Sequence, residues 1–418
     1  VSLNPGQTAL VTGMATSGNR LQLAIAPAGT GKTTAMRALT AVWVEDGGTV
    51  LGLAPSAAAA AVLREQTGAT TDTLAKLTWS LAHDDLPDWA RAIDARTLVV
   101  IDEAGMADTL SLDTAVQFVT ARGGQVRLIG DTQQLAAIGA GGVLRDIAAT
   151  HGALHLDELM RFTDPVEGTA SLALRDGGTE ALGFYLDHHR VHVGDLATIT
   201  QDVFTAWAND RQQGLDAMML APTRDLVSQL NLQAQSHRLA GRNPGSGAPL
   251  ADGSTALVGD TIVTRANDRR LRLGMTDWVK NGDRWTVHNV HHDGSLTVHH
   301  QRAGKSVTLP ADYVRGSTEL GYATTIHGAQ GISVDTVHGL ATGEETRQQL
   351  YTMLSRGSAA NHLYLQVVGD GDPHAILHPD NVRPRTATDI LEGILARDAA
   401  PVSATTTARD DASPAPRL

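Results

Sequence analysis

Short, nearly uninterrupted apolar runs recur at positions 21–25, 50–53, 98–101, 126–129 and 217–220. Runs of this length, lacking the alternation of a half-exposed strand, predict parallel strands covered on both faces. Each is followed by small or polar residues and then by a helical pattern. After Ser56, positions 57–63 are mostly alanine, with Val62 the one β-branched residue, a composition of high helix propensity. The alternation predicts an α/β architecture with crossover helices. Between 260 and 314 the grammar changes. Trp285 and Val287, Leu296 and Val298, and Val307 and Leu309 follow a period of two, and Asp293-Gly294 stands between two such runs as a hairpin turn. A small β-barrel or sheet insert is predicted there. The α/β pattern resumes with a helical stretch near Thr325 and a strand over 362–368. From 398 to 418 the Ala, Pro, Ser and Thr-rich sequence lacks apolar periodicity and predicts a disordered tail.

The chemistry clusters where the predicted strands end. Ala26-Pro27-Ala28-Gly29-Thr30-Gly31-Lys32-Thr33-Thr34 joins the first strand to a helical run beginning near Ala35, the position of a phosphate-binding loop. Gly29 and Gly31 let backbone N–H groups turn inward, Lys32 reaches the β- and γ-phosphates of a nucleoside triphosphate, and Thr33 can ligate Mg²⁺. Asp102-Glu103 ends the 98–101 run. That spacing puts Asp102 near the metal and Glu103 where water attacks. Gln134, after the 126–129 run, is placed to sense the γ-phosphate. Taken singly, Asp102-Glu103 also suits a solvated strand end and Gly130-Asp131 a simple turn.

Composition narrows the field. The 418 residues suit two to three domains, and the absence of cysteine excludes disulfides, thiolate catalysis and Cys-ligated metal sites. No run approaches the roughly 20 apolar residues of a membrane-spanning helix, so a soluble, cytoplasmic chain without membrane insertion is expected. The chain opens on Val1 rather than Met, as expected of a piece of a longer protein. With 33 basic and 45 acidic residues the net charge is -12, which argues against a protein that coats nucleic acid but leaves room for a local basic channel. Positions 265–285 hold six basic residues (Arg265, Arg269, Arg270, Arg272, Lys280, Arg284) against three acidic ones, interleaved with Trp278 and Trp285. This suits a strand-binding surface, or equally two core tryptophans under a charged face. The histidines at 188, 189 and 192, and at 288, 291, 292, 299 and 300, lack partners for a four-ligand site, and no metal is expected on them.

Several motifs together resemble a known family. Gln7 in Asn4-Pro5-Gly6-Gln7, the phosphate loop, Ala54-Pro55-Ser56, Asp102-Glu103-Ala104 and Gly130-Asp131 with Gln134 are similar to the early motifs of superfamily 1 helicases of the RecD-like branch. Arg161 in Leu159-Met160-Arg161-Phe162, Ala221-Pro222-Thr223 with Leu230-Asn231, the segment Thr325 to Gly331, and Ser355-Arg356 follow in the family's order. The resemblance covers nearly all of 4–368, with Ala26 standing where the usual loop has its first Gly. Arg161-Phe162 with Leu174-Arg175-Asp176-Gly177, and Val279 to Trp285, look more narrowly like the helicase part of TraI- or TrwC-type conjugative relaxases.

The resemblance implies two RecA-like P-loop NTPase lobes, 1–159 and 160–259 with 315–397, and an SH3-like β insert at 260–314. It implies ATP and Mg²⁺ as cofactors, with Gln7 reading adenine and Pro27, Ala28, Gly29, Thr30, Gly31, Lys32, Thr33 and Thr34 holding the phosphates. Asp102 joins Thr33 as a metal ligand. Lys32, Glu103 and Gln134 become catalytic, joined by Arg161 and Arg356 as second-lobe arginines that neutralise the transition state. Pro55, Ser56, Thr71, Thr73, Thr325 and His327 match strand-gripping regions, although capping or turn roles suit each equally. A short insertion at about 70–95, with Trp79 and Trp89, stands where relatives carry a strand-separating pin. The implied activity is ATP-dependent translocation on single-stranded DNA, 5' to 3', with unwinding at duplex junctions. The implied partners are a relaxase domain of the same parent chain and the conjugation machinery. Two other readings stay open: a single-strand-binding module with a vestigial ATPase, and a P-loop kinase for a small acceptor.

Overall fold

The computed structural model describes residues 2–135, 142–241, 245–274, 277–367, 385–400, 403 and 405–408. Two compact units divide the chain, one of Val1–Gly168 with Ala399–Leu418 and one of Thr169–Asp398. The first unit continues past the expected boundary at 159, because the Met160 N–H donates to the Gly29 carbonyl at 2.7 Å and fastens that segment to the phosphate loop.

In the first unit the order is α1 (Pro5–Thr16), β1 (Leu21–Ile25), α2 (Lys32–Glu45), β2 (Thr49–Ala54), α3 (Ala57–Thr67), β3 (Thr70–Thr73), α4 (Leu74–Ala82) and α5 (Asp88–Arg91). Then come β4 (Thr97–Ile101), α6 (Thr109–Ala121), β5 (Gln125–Gly130), α7 (Val143–His151) and β6 (Leu154–His155). The six strands form one parallel sheet in the order β3-β2-β4-β5-β1-β6. Alternation divides their side chains between two helical layers. Leu23, Leu51, Leu53, Val99, Ile101, Val126 and Leu128 pack with residues of α4, α6 and α7. Ala24, Val50, Leu98, Val100 and Ile129 pack with residues of α1 and α2. Both faces are covered, which is why the strands read as continuous apolar runs.

α8 (Pro165–Asp176) leads into the second unit, followed by α9 (Ala181–Asp187), β7 (Val191–Gly194), α10 (Leu196–Gln212), β8 (Ala217–Ala221) and α11 (Arg224–Leu239). A β-rich stretch then runs through β9 (Ala248–Pro249), β10 (Thr255–Ala256), β11 (Thr261–Thr264), β12 (Asp268–Arg272), β13 (Trp278–Val279), β14 (Arg284–Val290), β15 (Leu296–His300) and β16 (Ser306–Leu309). After α12 (Ala311–Ser317), β17 (Thr318–Leu320) and β18 (Ala323–Thr325), the unit closes with β19 (Val334–Ala341), α13 (Arg347–Met353), β20 (Gly357–Gln366) and α14 (Ala387–Ala396). A parallel sheet β18-β8-β19-β20-β7 forms the second RecA-like layer. The insert is an antiparallel sheet β16-β15-β14-β11-β17 with a β12-β13 hairpin. Its hydrophobic residues, Trp285, Val298 and Leu309 among them, join one core with Val203 and Trp207 of α10 and Leu230 of α11.

Three expectations are corrected here. The insert extends beyond 314, because β17 pairs antiparallel with β11, Ile262 opposite Leu320. Thr325 ends a strand rather than lying in a helix: 323–325 pair in parallel with 219–221, and only a 3-10 turn (His327–Ala329) follows. The stretch from 398 is not wholly disordered. Asp398 accepts a bond from Gln348 Nε2 at 2.7 Å, residues 405–408 are helical, and the Ser403 and Thr406 hydroxyls both donate to Asp146. Short hydroxyl and carboxylate contacts anchor this segment, and apolar periodicity is blind to them. Val368 and 409–418 lie outside the described residues.

Candidate functional site

The sheet order brings three loops together in the first unit. β4, β5 and β1 are neighbours, and being parallel they send the phosphate loop, Asp102-Glu103 and the 131–134 turn to one edge. Ala26 N–H donates to Gly130 O at 2.9 Å, tying the first of these loops to the last.

Within the phosphate loop, Gly29 and Gly31 adopt φ of 88° and 75°, values that side chains with a Cβ avoid. Gly31 is the N-cap of α2, and no side chain caps that helix. The first-turn amides and the positive end of the helix dipole therefore favour an anion there. Thr30 is buried and holds the loop's shape, its hydroxyl donating to Pro27 O at 3.0 Å. Pro27 and Ala28 precede it, and half-buried Thr33 and Thr34 open α2 beside Lys32.

Lys32 Nζ lies 2.9 Å from Glu103 Oε1 and 3.1 Å from Asp102 Oδ1. Burial by itself would lower its proton affinity, but the two carboxylates outweigh that and hold it above the usual lysine range. Asp102 moves up, because its own burial, reinforced by the Glu103 charge, exceeds the attraction of Lys32. Glu103 has φ 50° and ψ 36°, a left-handed conformation uncommon outside Gly and of the kind stored at working sites. The donor set, the half-buried Asp102 carboxylate, the Thr33 hydroxyl and the uncapped start of α2, fits Mg²⁺ carried in with a nucleotide. Among the described residues no group of three or more His, Asp or Glu could hold a metal by itself.

Gln134 is buried, its Nε2 3.4 Å from Asp131 Oδ2. Asp131 and Gln134 line a cleft with Gly105, Thr132 and Arg145. Arg145 escaped the sequence reading. Its Nη2 donates to Gln133 Oε1 at 2.9 Å and its Nε to Thr132 O, fixing the turn that carries Gln134. Its signal was an arginine opening the helix after Gly142.

Gln7 is committed at both ends of its amide. Oε1 accepts from Asn4 N in a capping box, and Nε2 donates to Gly31 O at 3.2 Å. A Cβ on Gly31 would fall 2.5 Å from that nitrogen. Arg161 belongs to the first unit rather than to the second, where the resemblance had put it. A Cβ on Gly29 would fall 2.7 Å from Arg161 Cβ, so this arginine covers the loop of its own unit.

The strand-gripping candidates form two groups. In the first unit Pro55-Ser56 and Thr73 leave adjacent strands, where Ala54 pairs with Thr73. Their hydroxyls have local work: Ser56 caps α3 through Ala59 N, Thr73 caps α4 through Lys76 N, and Thr71 donates to Ala60 O at 2.7 Å. In the second unit Thr325 Oγ1 accepts from Gly328 N, and His327 is exposed. Arg356 is buried in that unit, with Nη2 on Ser355 Oγ at 2.9 Å.

The expected basic surface divides by burial. Trp285 is fully buried, donating to Thr264 Oγ1, and Lys280 is buried against Asp277. Arg269, Arg270 and Arg272 are exposed on β12, with Arg269 stacked 4.5 Å over Trp278. In the short insertion Trp79 is exposed beside His83, while Trp89 packs on the core. No described helix is long and apolar enough to cross a membrane.

Comparison with known proteins follows the same outline. A profile of the AAA domain matches residues 2–196. The conjugal transfer protein TraA of Agrobacterium fabrum is 29% identical over 391 residues, covering 91% of this chain and 34% of TraA. An ATP-dependent RecD2 DNA helicase of Deinococcus radiodurans is 29% identical over 365 residues, 81% of this chain and 46% of that protein. The crystal structure of a Pif1 helicase from Bacteroides, in complex with ADP-AlF3 and single-stranded DNA, has the same fold at a TM-score of 0.57. Identity there is 16%, over 87% of this chain and 92% of the other. The chain spans about a third of the length of its TraA relatives.

Proposed function

We propose that this chain, a relative of the superfamily 1 helicases, is the ATP-driven DNA motor of a larger conjugal transfer protein. The observation that carries this reading is Lys32, fixed on a phosphate loop within 3.1 Å of both Asp102 and Glu103. A lysine that faces phosphates and a carboxylate that faces water are the two groups phosphoryl hydrolysis requires.

In this reading the phosphate loop and the start of α2 bind the triphosphate, and Thr33 and Asp102 hold Mg²⁺. A metal bound there would supply neutralisation of the phosphate charge. Glu103 orients and deprotonates the attacking water, and Gln134 reports the γ-phosphate to the 131–134 turn. Gln7 exchanges its Gly31 contact for the adenine edge. Arg161 and Arg356 neutralise developing charge. Pro55, Ser56, Thr71, Thr73, Thr325 and His327 grip a single strand through hydroxyls, backbone amides and one imidazole, which adds little net charge in an acidic chain. Movement runs 5' to 3', and the partners are a relaxase domain of the parent chain and the transfer machinery.

The test is steady-state ATP hydrolysis with and without single-stranded DNA, for the wild type and Lys32→Ala. Stimulation by DNA that disappears in Lys32→Ala supports a motor, and 5'-tailed duplexes should then unwind in preference to 3'-tailed ones. Tight DNA binding with no hydrolysis in either protein would replace the motor by a binding module. Phosphoryl transfer to a small acceptor, indifferent to DNA, would replace it by a kinase.

A further inference from the structure

The residues that follow Asp398 do not belong to the unit they leave. From Ala399 the chain is part of the first unit, and there it meets α7. The Ser403 and Thr406 hydroxyls both donate to the Asp146 carboxylate, and both side chains are half-buried. Ser403 Oγ also accepts from Thr406 N at 3.0 Å, closing the turn that presents the second hydroxyl. One hydroxyl thus shapes this segment and anchors it, since it has a proton to give and lone pairs left to receive.

Asp146 lies in the first turn of α7, whose N-cap is Gly142 at φ 94°. No side chain caps that helix, so its first turn lacks the usual fastening to the residues before it. Arg145 sits in the same turn. Its guanidinium bridges Thr132 O at 3.3 Å and Gln133 Oε1 at 2.9 Å. Behind them Asp131 accepts from Gln133 N at 3.0 Å and from Gln134 Nε2 at 3.4 Å, so the arginine braces the turn that holds Gln134. A long side chain keeps its planar fork in one place only when its own backbone is held. Asp146, the next residue, fastens that backbone to the C-terminal segment.

We propose that Arg145 is a positioning residue for ATP hydrolysis and that Ser403 and Thr406 set it. Seated on Asp146, they hold the first turn of α7, so that Arg145 keeps Gln134 in the geometry that meets the γ-phosphate. The inference rests on the ATPase reading above. It goes beyond that reading by making the hydrolytic step depend on a segment that acts through a helix start, without touching the nucleotide.

The test sets single-turnover ATP hydrolysis against the affinity of a fluorescent ADP, because ADP lacks the phosphate that Gln134 senses. Thermal melting checks folding. Arg145→Met keeps the length and removes the fork, so hydrolysis should fall on the order of tenfold while ADP affinity stays at the wild-type value. Arg145→Lys keeps the charge but not the planar fork and should recover part of the rate. Ser403→Ala combined with Thr406→Ala should lower hydrolysis about threefold at unchanged ADP affinity, and should add nothing in the Arg145→Met background. This pair leaves Arg145 in place and carries the test if Arg145→Met does not fold. Hydrolysis at the wild-type rate in either folded variant overturns the inference while the ATPase reading stands. A loss of ADP affinity that matches the loss of rate overturns it too, in favour of general support of the nucleotide site. So does a full-sized effect of the Ser403 and Thr406 pair in the Arg145→Met background, which would break the link through α7. A wild type that hydrolyses no ATP, with or without single-stranded DNA, overturns the ATPase reading as well.

Discussion

Lys32 in the first unit and His362 in the second are both bases taken out of water, yet their proton affinities move in opposite directions. Around Lys32 two carboxylates stand within 3.1 Å, and their attraction outweighs desolvation. Around His362 the neighbours are Arg190 at 2.9 Å and His192 at 3.2 Å, with the His338 ring stacked 5.5 Å away. Burial pushes His362 down to about 3, competition with His338, Arg190 and His192 for positive charge lowers it further, and Asp210 opposes only weakly. Asp210 is already engaged by His338 Nε2 at 2.8 Å and Thr336 at 2.6 Å. Tyr364, bonded to His338 and stacked on His192, completes the network, and Asp202 acts on it from α10. Desolvation is common to both clusters. What differs is the sign of the nearest charges: two carboxylates stand against Lys32, while a guanidinium and imidazoles stand against His362.

The largest expected effect lies in the first cluster. Glu103→Gln keeps the shape but removes the charge, so ATP hydrolysis should fall by about 10² to 10⁴ in single-turnover measurements. Wild-type rates in that variant would make the first cluster as structural as the second. Lys32, with its affinity raised, contributes stability that is present at neutral pH and lost only as pH rises above the ordinary lysine value of 10.5. The second cluster behaves in the opposite sense. A base whose folded pKa lies below its unfolded value stabilises above 6.5 and loses that contribution as pH falls from 6.5 toward 3. His192 and His338 are lowered as well and work in the same direction. Urea unfolding at pH 7.5 and pH 5 should therefore show a loss on the order of a few kcal/mol. His362→Gln should flatten that dependence, and an unaltered acid response in the variant would break the comparison. The smallest effect sharpens the role of the first-unit hydroxyls. Ser56→Ala and Thr73→Ala each remove a helix cap and should cost about 1 kcal/mol in melting experiments. A matching drop in oligothymidine affinity would add strand contact to capping, and unchanged affinity would leave capping alone.

Much of the architecture was legible because buried parallel strands advertise themselves. All five apolar runs are strands, and the three period-two runs are strands of the insert. The phosphate loop was equally plain, since its chemistry is confined to consecutive residues between a strand and a helix. Elements defined by partners were harder. Residues 323–325 form an edge strand because β8 lies beside them, and polar Thr324 and Thr325 carry no strand signal of their own. Arg161 lies after the last strand of the first sheet, and the Met160 to Gly29 hydrogen bond and its own approach to Gly29 reveal which unit it serves.

Sequence alone therefore determined the α/β grammar, the loop that suits a triphosphate and the carboxylates that follow the neighbouring strand, because each is written in local spacing. Tertiary structure alone decided which charges are answered. Arg265 meets Glu319 across 54 positions, and Arg190 meets His362 across 172. It likewise chose Trp285 for the core and left Trp278 under Arg269. Whether a buried charge is paired, neutral or waiting for a ligand depends on groups within a few ångströms in space, and the chain brings those together only when it folds.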